Sequence, residues 1–327
     1  MKFIDMHSDT IGALMGNNNS LLDNDSMINL NKLKEADYLL QCFAMFVNLK
    51  GEEVNNKPYE YCNKMMDRYY EEIDKYSNII KPVYTYSDIE DNIKNNIISS
   101  LLTIEEGGVL EGKMENLIYF YNRGARMLTL TWNYKNEIAS PNMNFFEPDS
   151  VDQKTPNTKD GLTTFGIEVV KKMNELGMII DCSHAGDKTF YDVIKYSNKP
   201  IVCSHSCSRS ICNHVRNMSD DMLLKLKENN GVVGINFCHD FVTPTEELST
   251  IKDVVNHIIH IRDVIGIDYI GLGSDFDGIE NTNIELKDAT YMPKLVKELE
   301  NNKFSKLDID KITHLNVLRV FKDNLSK

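Results

Sequence analysis

Eight short runs rich in aliphatic and β-branched residues, most of them followed by a stretch of helical length, constrain this chain more than any other feature. The runs fall at residues 3–9, 39–47, 97–104, 127–131, 178–181, 201–204, 232–236 and 269–273. Between them lie amphipathic segments such as 161–176, 187–195, 219–227 and 251–264. Gly177, Gly231 and Gly266 follow three of these segments, as glycine does where a helix stops and turns into a strand. Ser219 with Asp220 and Asp221 suits a helix start, because a hydroxyl caps free amides and carboxylates favour the positive end of the helix dipole. Strand alternating with helix implies parallel pairing. An open doubly wound sheet would usually place a glycine-rich phosphate loop after its first strand, whereas this chain has Asp5, His7, Ser8, Asp9 and Thr10 there. The expected fold is therefore α/β, a (β/α)8 TIM-type barrel.

The chain has 327 residues, which suits one such barrel of ~250 residues with insertions. No repeat, low-complexity tract or Pro-rich linker divides it, so residues 1–327 are expected to form a single domain. The long connection 50–96 reads as a helical insertion between strands two and three that caps the barrel mouth, and 133–160 reads as a loop shaping the pocket. Hydrophobic residues make up 42% of the chain, enough for a substantial core. Acidic residues outnumber basic ones 49 to 36, for a net charge of -13, which argues against a partner rich in phosphates such as nucleic acid. The cysteines are odd in number, seven, and several sit in apolar runs, so they are expected to be reduced core residues. Met1 runs almost directly into the first strand, and no apolar run approaches the ~20 residues of a membrane helix. The expectation is a cytoplasmic protein with no membrane association.

In a parallel barrel, catalytic groups project from the C-terminal ends of the strands. Polar residues at those ends are accordingly informative. The first strand ends in His7 and Asp9, two apart and therefore on one face. The third ends in Glu105 and Glu106 before Gly107 and Gly108, the fifth in Asp181 and His184, the sixth in His205, and the eighth in Asp275 and Asp277. Only eight histidines occur in the chain, and three stand at the ends of three different strands. Imidazoles and carboxylates together suit a zinc-type ion, with one carboxylate able to span two. Singly, each has a bland reading: a His-x-Asp pair is common, two glutamates can be a solvated loop, and a histidine can be a satisfied core residue. Asp275-Phe-Asp277-Gly278 superficially suggests a calcium loop, but its glycine comes too early for an EF-hand. The other histidines, His214, His239, His257, His260 and His314, carry no assigned role.

The order of these motifs resembles the membrane dipeptidase (renal dipeptidase) family, metallopeptidase family M19 of the amidohydrolase-like superfamily. That family shows His-x-Asp after strand one, Glu-Gly-Gly, Asp-x-x-His, Ser-His-Ser, Arg-Asn and Asp-Phe-Asp-Gly, and all six occur here in that order. The resemblance runs from Ile4 to Phe321. It implies a hydrolase that splits dipeptides by a hydroxide bridging two zinc ions. His7 and Asp9 would hold one zinc, His184 and His205 the second, and Glu106, by its place directly before Gly107-Gly108, would bridge them. Arg216 would grip the substrate carboxylate, a task suited to a planar bidentate cation, and Asp275 would shuttle a proton. The chain departs from the vertebrate pattern where a histidine follows Leu-Thr-Leu-Thr: Trp132 and Asn133 stand there instead and become candidate substrate contacts. The resemblance allows a homodimer. The alternative activity is hydrolysis of another amide, a lactone or a cyclic imide on the same binuclear barrel, since pocket loops set the substrate. A barrel kept only as a scaffold fits poorly with an intact set of ligands.

Overall fold

Nine strands, all in parallel register, form the sheet of the computed structural model, which describes residues 1–148 and 151–325. They are β1 (Phe3–Asp5), β2 (Tyr38–Phe46), β3 (Ile80–Pro82), β4 (Ile98–Glu105), β5 (Met127–Thr129), β6 (Ile179–Asp181), β7 (Val202–Ser206), β8 (Val232–Ile235) and β9 (Ile270–Leu272). Eight of them run in the order β1-β2-β4-β5-β6-β7-β8-β9. The ring closes where the Met6 amide donates to the Leu272 carbonyl at 3.0 Å and Ser8 bridges to Phe276. This is the expected (β/α)8 barrel. The ninth strand, β3, was not expected: it pairs with β4 outside the ring and makes the 50–96 insertion partly β, with helices Pro58–Lys75 and Tyr86–Lys94 on either side.

Side-chain alternation builds two apolar layers. Ile4, Leu40, Leu101, Met127, Ile179 and Val202 face inward and fill the lower barrel together with Val317, Val320 and Phe321 of the final helix. Phe43, Leu102, Ile104, Leu128 and Val233 face outward into the core shared with the surrounding helices. Burying side chains of this size contributes ~1.5–3 kcal/mol each. The expected helices appear as Thr164–Leu176, Asp187–Tyr196, Asp220–Glu228 and Ile251–Ile265. The Ser219 hydroxyl accepts from the Met222 amide, and Gly177 ends its helix in the left-handed conformation (φ 77°). Gly231 does not play that part. Asn230 takes the left-handed turn instead, at φ 61°, and Gly231 is required because a Cβ there would lie 2.6 Å from the Ile201 carbonyl oxygen.

All seven cysteines are buried free thiols. Among the described residues, no helix is long and apolar enough to cross a membrane.

Candidate metal centre and active site

The barrel register sets Phe46, Glu105, Thr129 and Asp181 on one rung, since Phe46 pairs with Glu105, Glu105 with Thr129, and Thr129 with Asp181. Glu105 shares the inward phase of Leu101 and Thr103, so its carboxylate points into the mouth and is only 3% exposed. Around it stand three imidazoles. Oε2 of Glu105 lies 3.2 Å from His7 Nε2, which is also 3.5 Å from Asp9 Oδ2 and 3.9 Å from Asp275 Oδ1. Oε1 lies 3.1 Å from His184 Nε2 and 3.6 Å from His205 Nε2. One carboxylate thus faces two donor sets, one on each oxygen.

Glu106, expected to bridge the metals, does not face the three imidazoles; Glu105 stands in that place. The Glu106 backbone adopts φ 105°, which swings its side chain out of the barrel phase. There it accepts from the Gly108 amide at 2.6 Å, the Trp132 amide at 3.0 Å and Asn136 Nδ2 at 2.5 Å. It fastens the β5 loop to the β4 loop, and burial pushes its carboxyl up to about 7 against the pull of those donors. Gly107 makes the turn feasible, because a Cβ there would meet the Leu130 carbonyl oxygen at 2.5 Å. Beyond Glu106, His184 (φ 67°), Asp275 (φ 63°) and Asp277 (φ 66°) are also left-handed, a costly backbone state for non-glycine residues that concentrates at functional sites.

Hydrogen bonds below the cluster fix which imidazole nitrogen faces it. Ser204 donates its hydroxyl to Asp181 Oδ2 at 2.6 Å, so at 2.8 Å it accepts from His205 Nδ1. His184 Nδ1 lies 3.0 Å from Asn133 Oδ1, an acceptor, and so carries the proton. Both Nε2 atoms then present lone pairs to each other across 3.1 Å. Burial, with Arg216 and His7 nearby, depresses the proton affinity of both rings. Two facing lone pairs repel unless a cation lies between or beside them. His7 shows the same deficit, as neither of its ring nitrogens nor Asp9 Oδ1 has a hydrogen-bond partner. The donor set therefore fits bound cations on its own chemistry, with imidazoles and carboxylates suited to zinc. Burial opposes charge on His7, yet Glu105 and Asp9 outweigh it and hold the ring protonated well above its usual range. Burial also lifts Glu105 to about 7, against the pull of His7.

Two buried carboxylates support this layer from beneath. Asp5 accepts from the Ser274 amide (2.8 Å) and hydroxyl (2.6 Å), tying β1 to the end of β9. Asp181 accepts from Thr129, the Ser183 amide and both donors of Ser204, tying β5, β6 and β7 together. Sequence reading gave neither a role, although Asp181 lies in the Asp-x-x-His motif.

The cluster opens into a cavity of about 540 Å³. Arg216 lines it from the loop after β7 and is 4% exposed. Nη2 donates to the His205 carbonyl at 3.1 Å, and Nε and Nη1 have no protein partner. Asn217 shapes this loop by donating to the Cys212 and Phe241 carbonyls and accepting from the Cys207 amide. Trp132 forms an aromatic wall with Phe46, Tyr134 and Phe145 and lies 6.1 Å from the His184 ring. Asn133 also lines the cavity, and its Oδ1 holds His184 through Nδ1. The insertion contributes Glu53, Tyr61 and Met65 to the lining, positions no motif marked.

His257 braces the same loop, accepting from the Ser208 amide and donating to the Val242 carbonyl. Burial lowers its pKa to about 4. An unfolded chain binds this proton below about 6.5 and the folded chain only below about 4, so stability rises with pH between those values. Denaturant titrations at pH 7 and pH 4.5 should show His257 contributing about 2–3 kcal/mol to the loss on acidification. His257→Gln should remove that share of the slope, and equal slopes in the two proteins would rule it out.

Comparison with known proteins gives one consistent answer. Residues 1–327 match the family described as membrane dipeptidase (peptidase family M19). An uncharacterized dipeptidase of Schizosaccharomyces pombe is 33% identical over 307 residues, covering 91% of this chain and 72% of the relative. A second from the same yeast is 39% identical over 228 residues, 69% of this chain and 53% of that relative. The fold matches, at TM-score 0.90 and 22% identity, a metallopeptidase from Rhodobacter sphaeroides crystallised with a phosphinate mimic of the dipeptide L-Ala-D-Ala, covering 99% of both chains. Its barrel, the polar ends of its strands and these matches agree: the chain belongs to the membrane dipeptidase family, peptidase family M19.

Proposed function

We propose that this chain hydrolyses the peptide bond of dipeptides with the help of two zinc ions, which His7, Asp9, Glu105, His184 and His205 would hold. The observation that carries this reading is the placement of Arg216, a buried guanidinium with two unused donor positions, in the same cavity as the Glu105 cluster. An unpaired buried cation is costly, and a substrate carboxylate offsets the cost. A free carboxylate fixed at Arg216 sets the distance to the reacting carbonyl, which restricts substrates to short ones.

Cations bound at the cluster supply Lewis acidity toward the attacking water and the scissile carbonyl. Asp275 is placed to handle the proton. Asn236 donates to its Oδ2 at 2.8 Å and fixes the carboxylate, while Oδ1 faces the His7 side of the cluster. Burial raises its proton affinity, outweighing the lowering by His7, as suits a group that takes a proton from water and returns it to the leaving amine. Trp132 excludes water from the β5 side of the cavity, and Asn133 keeps His184 Nε2 directed at the cluster.

Arg216→Ala should lower kcat/KM for Ala-Ala by roughly 30- to 1000-fold, mostly through KM, since removing one partner of a buried charge pair costs ~2–4 kcal/mol. Ala-Ala amide, which lacks the carboxylate, should be a poor substrate for the unmodified protein and indifferent to the substitution. An unchanged KM for Ala-Ala would discredit the assignment. Rapid cleavage of lactones or acylamino acids with dipeptides untouched would favour the wider amide and lactone reading.

A further inference from the structure

The cavity is electrically one-sided beyond its metal-binding floor. Arg216 is, among the described residues, the only Lys or Arg in its lining, whereas Glu53, Asp240 and Glu280 are exposed. Among the described residues none of these three is paired with a cation, and none has its carboxylate satisfied as that of Asp277 is, by the Thr10 hydroxyl and the amides of Met27 and Ile28. An acidic lining alone signifies little. Arg216 is the independent observation, a buried side chain with unpartnered donors directed into the same cavity, and it fixes which end of a ligand lies where.

Strand order supplies the geometry. Arg216 follows β7 and Glu53 follows β2, and these strands stand half a turn apart in the ring β1-β2-β4-β5-β6-β7-β8-β9. A dipeptide whose carboxylate is held at Arg216 and whose peptide bond lies over Glu105 extends its amino-terminal residue toward the β9, β1 and β2 side. There the lining is small at Gly12, Ala13 and Gly278 and acidic at Glu53 and Glu280. Tyr61 and Met65 add apolar surface on that side, as Trp132 and Met143 do on the β4–β5 side.

Resting on the dipeptidase reading, we propose that Glu53 and Glu280 select dipeptides whose amino-terminal residue carries a cationic side chain, of the lysine, ornithine or arginine type. The selection is long-range and screened, because both carboxylates are solvated. It therefore acts on capture of the substrate more than on the chemical step.

The test compares Lys-Ala with norleucine-Ala, which has a four-carbon side chain without the ammonium, and with Ala-Ala. At low ionic strength kcat/KM should favour Lys-Ala over norleucine-Ala by about tenfold, and in about 1 M salt by no more than about twofold. The Glu53→Gln/Glu280→Gln double variant should lose the preference while keeping Ala-Ala turnover within about twofold. Calorimetric binding of the phosphinate analogues of Lys-Ala and norleucine-Ala to the zinc-loaded protein reads the same preference without turnover. Failure to hydrolyse Ala-Ala would overturn the dipeptidase reading. Equal binding of the two analogues at low salt, or a preference that survives in the double variant, would overturn the selection by Glu53 and Glu280.

Discussion

Glu105→Gln should leave a folded barrel that has lost at least about 10³-fold in kcat/KM, because an anion that serves two cations, as proposed, would be worth several kcal/mol of charge stabilisation. The substitution keeps the shape and removes the charge. It also turns one oxygen that faces an imidazole at 3.1–3.2 Å into an NH2 group, which cannot ligate a cation. Elemental analysis should find fewer than two zinc ions per chain. Glu106→Gln should behave otherwise. Its carboxylate accepts three N–H donors away from the cluster, and one of its two acceptor oxygens survives as the amide carbonyl. Loss of one accepted hydrogen bond in a buried setting costs about 1–3 kcal/mol of stability, with metal content retained and activity reduced through the Trp132 loop. If Glu106→Gln loses the metal and Glu105→Gln keeps it, the arrangement described here is wrong.

The contrast between these neighbours shows what the sequence made legible. Eight strands in order, and polar residues at their ends, are visible because period-two alternation and helical spacing are local properties. His7, Asp9, His184, His205 and Asp275 come together for that reason. Choosing between Glu105 and Glu106 required the phase of β4. Leu101, Thr103 and Glu105 alternate onto the inner face while Leu102 and Ile104 pack outward, so the inner set ends at Glu105. Proximity to Gly107-Gly108 pointed to Glu106, but the glycines serve the turn and not the ligand. β3 escaped notice because three residues ending in Pro82 carry almost no strand signal. Glu53, Tyr61 and Met65 join the cavity only because the insertion packs over the barrel mouth, which is a tertiary fact.

Stripping the metal should abolish activity, and zinc should restore it, with a sign to the pH dependence that the site itself dictates. In the metal-free chain His7 is held protonated above its usual range, since Glu105 and Asp9 overcome the effect of burial. Burial raises Glu105 to about 7, so it too takes up a proton as the pH falls toward and below neutrality. Both protons must leave before the groups ligate a cation, so zinc binding releases protons and its affinity rises with pH. Affinity should weaken on acidification from the pH at which His7 takes up its proton, above its usual range, and more steeply below about pH 7, where Glu105 is protonated as well. Bound zinc would also relieve the repulsion between the facing lone pairs of His184 and His205 and would take one of the two orphaned nitrogens of His7 as a ligand. At a zinc concentration about 1,000 times the dissociation constant the linkage is worth ~4 kcal/mol, or a rise in Tm of roughly 6 °C for a chain of this size. Scanning calorimetry before and after chelation measures that rise, and calorimetric titration in buffers of different ionisation enthalpy counts the protons released. A chelated protein with no detectable metal, full activity and an unchanged Tm would leave the His7, Glu105 and His205 cluster without a metal to hold and end the metal-dependent mechanism.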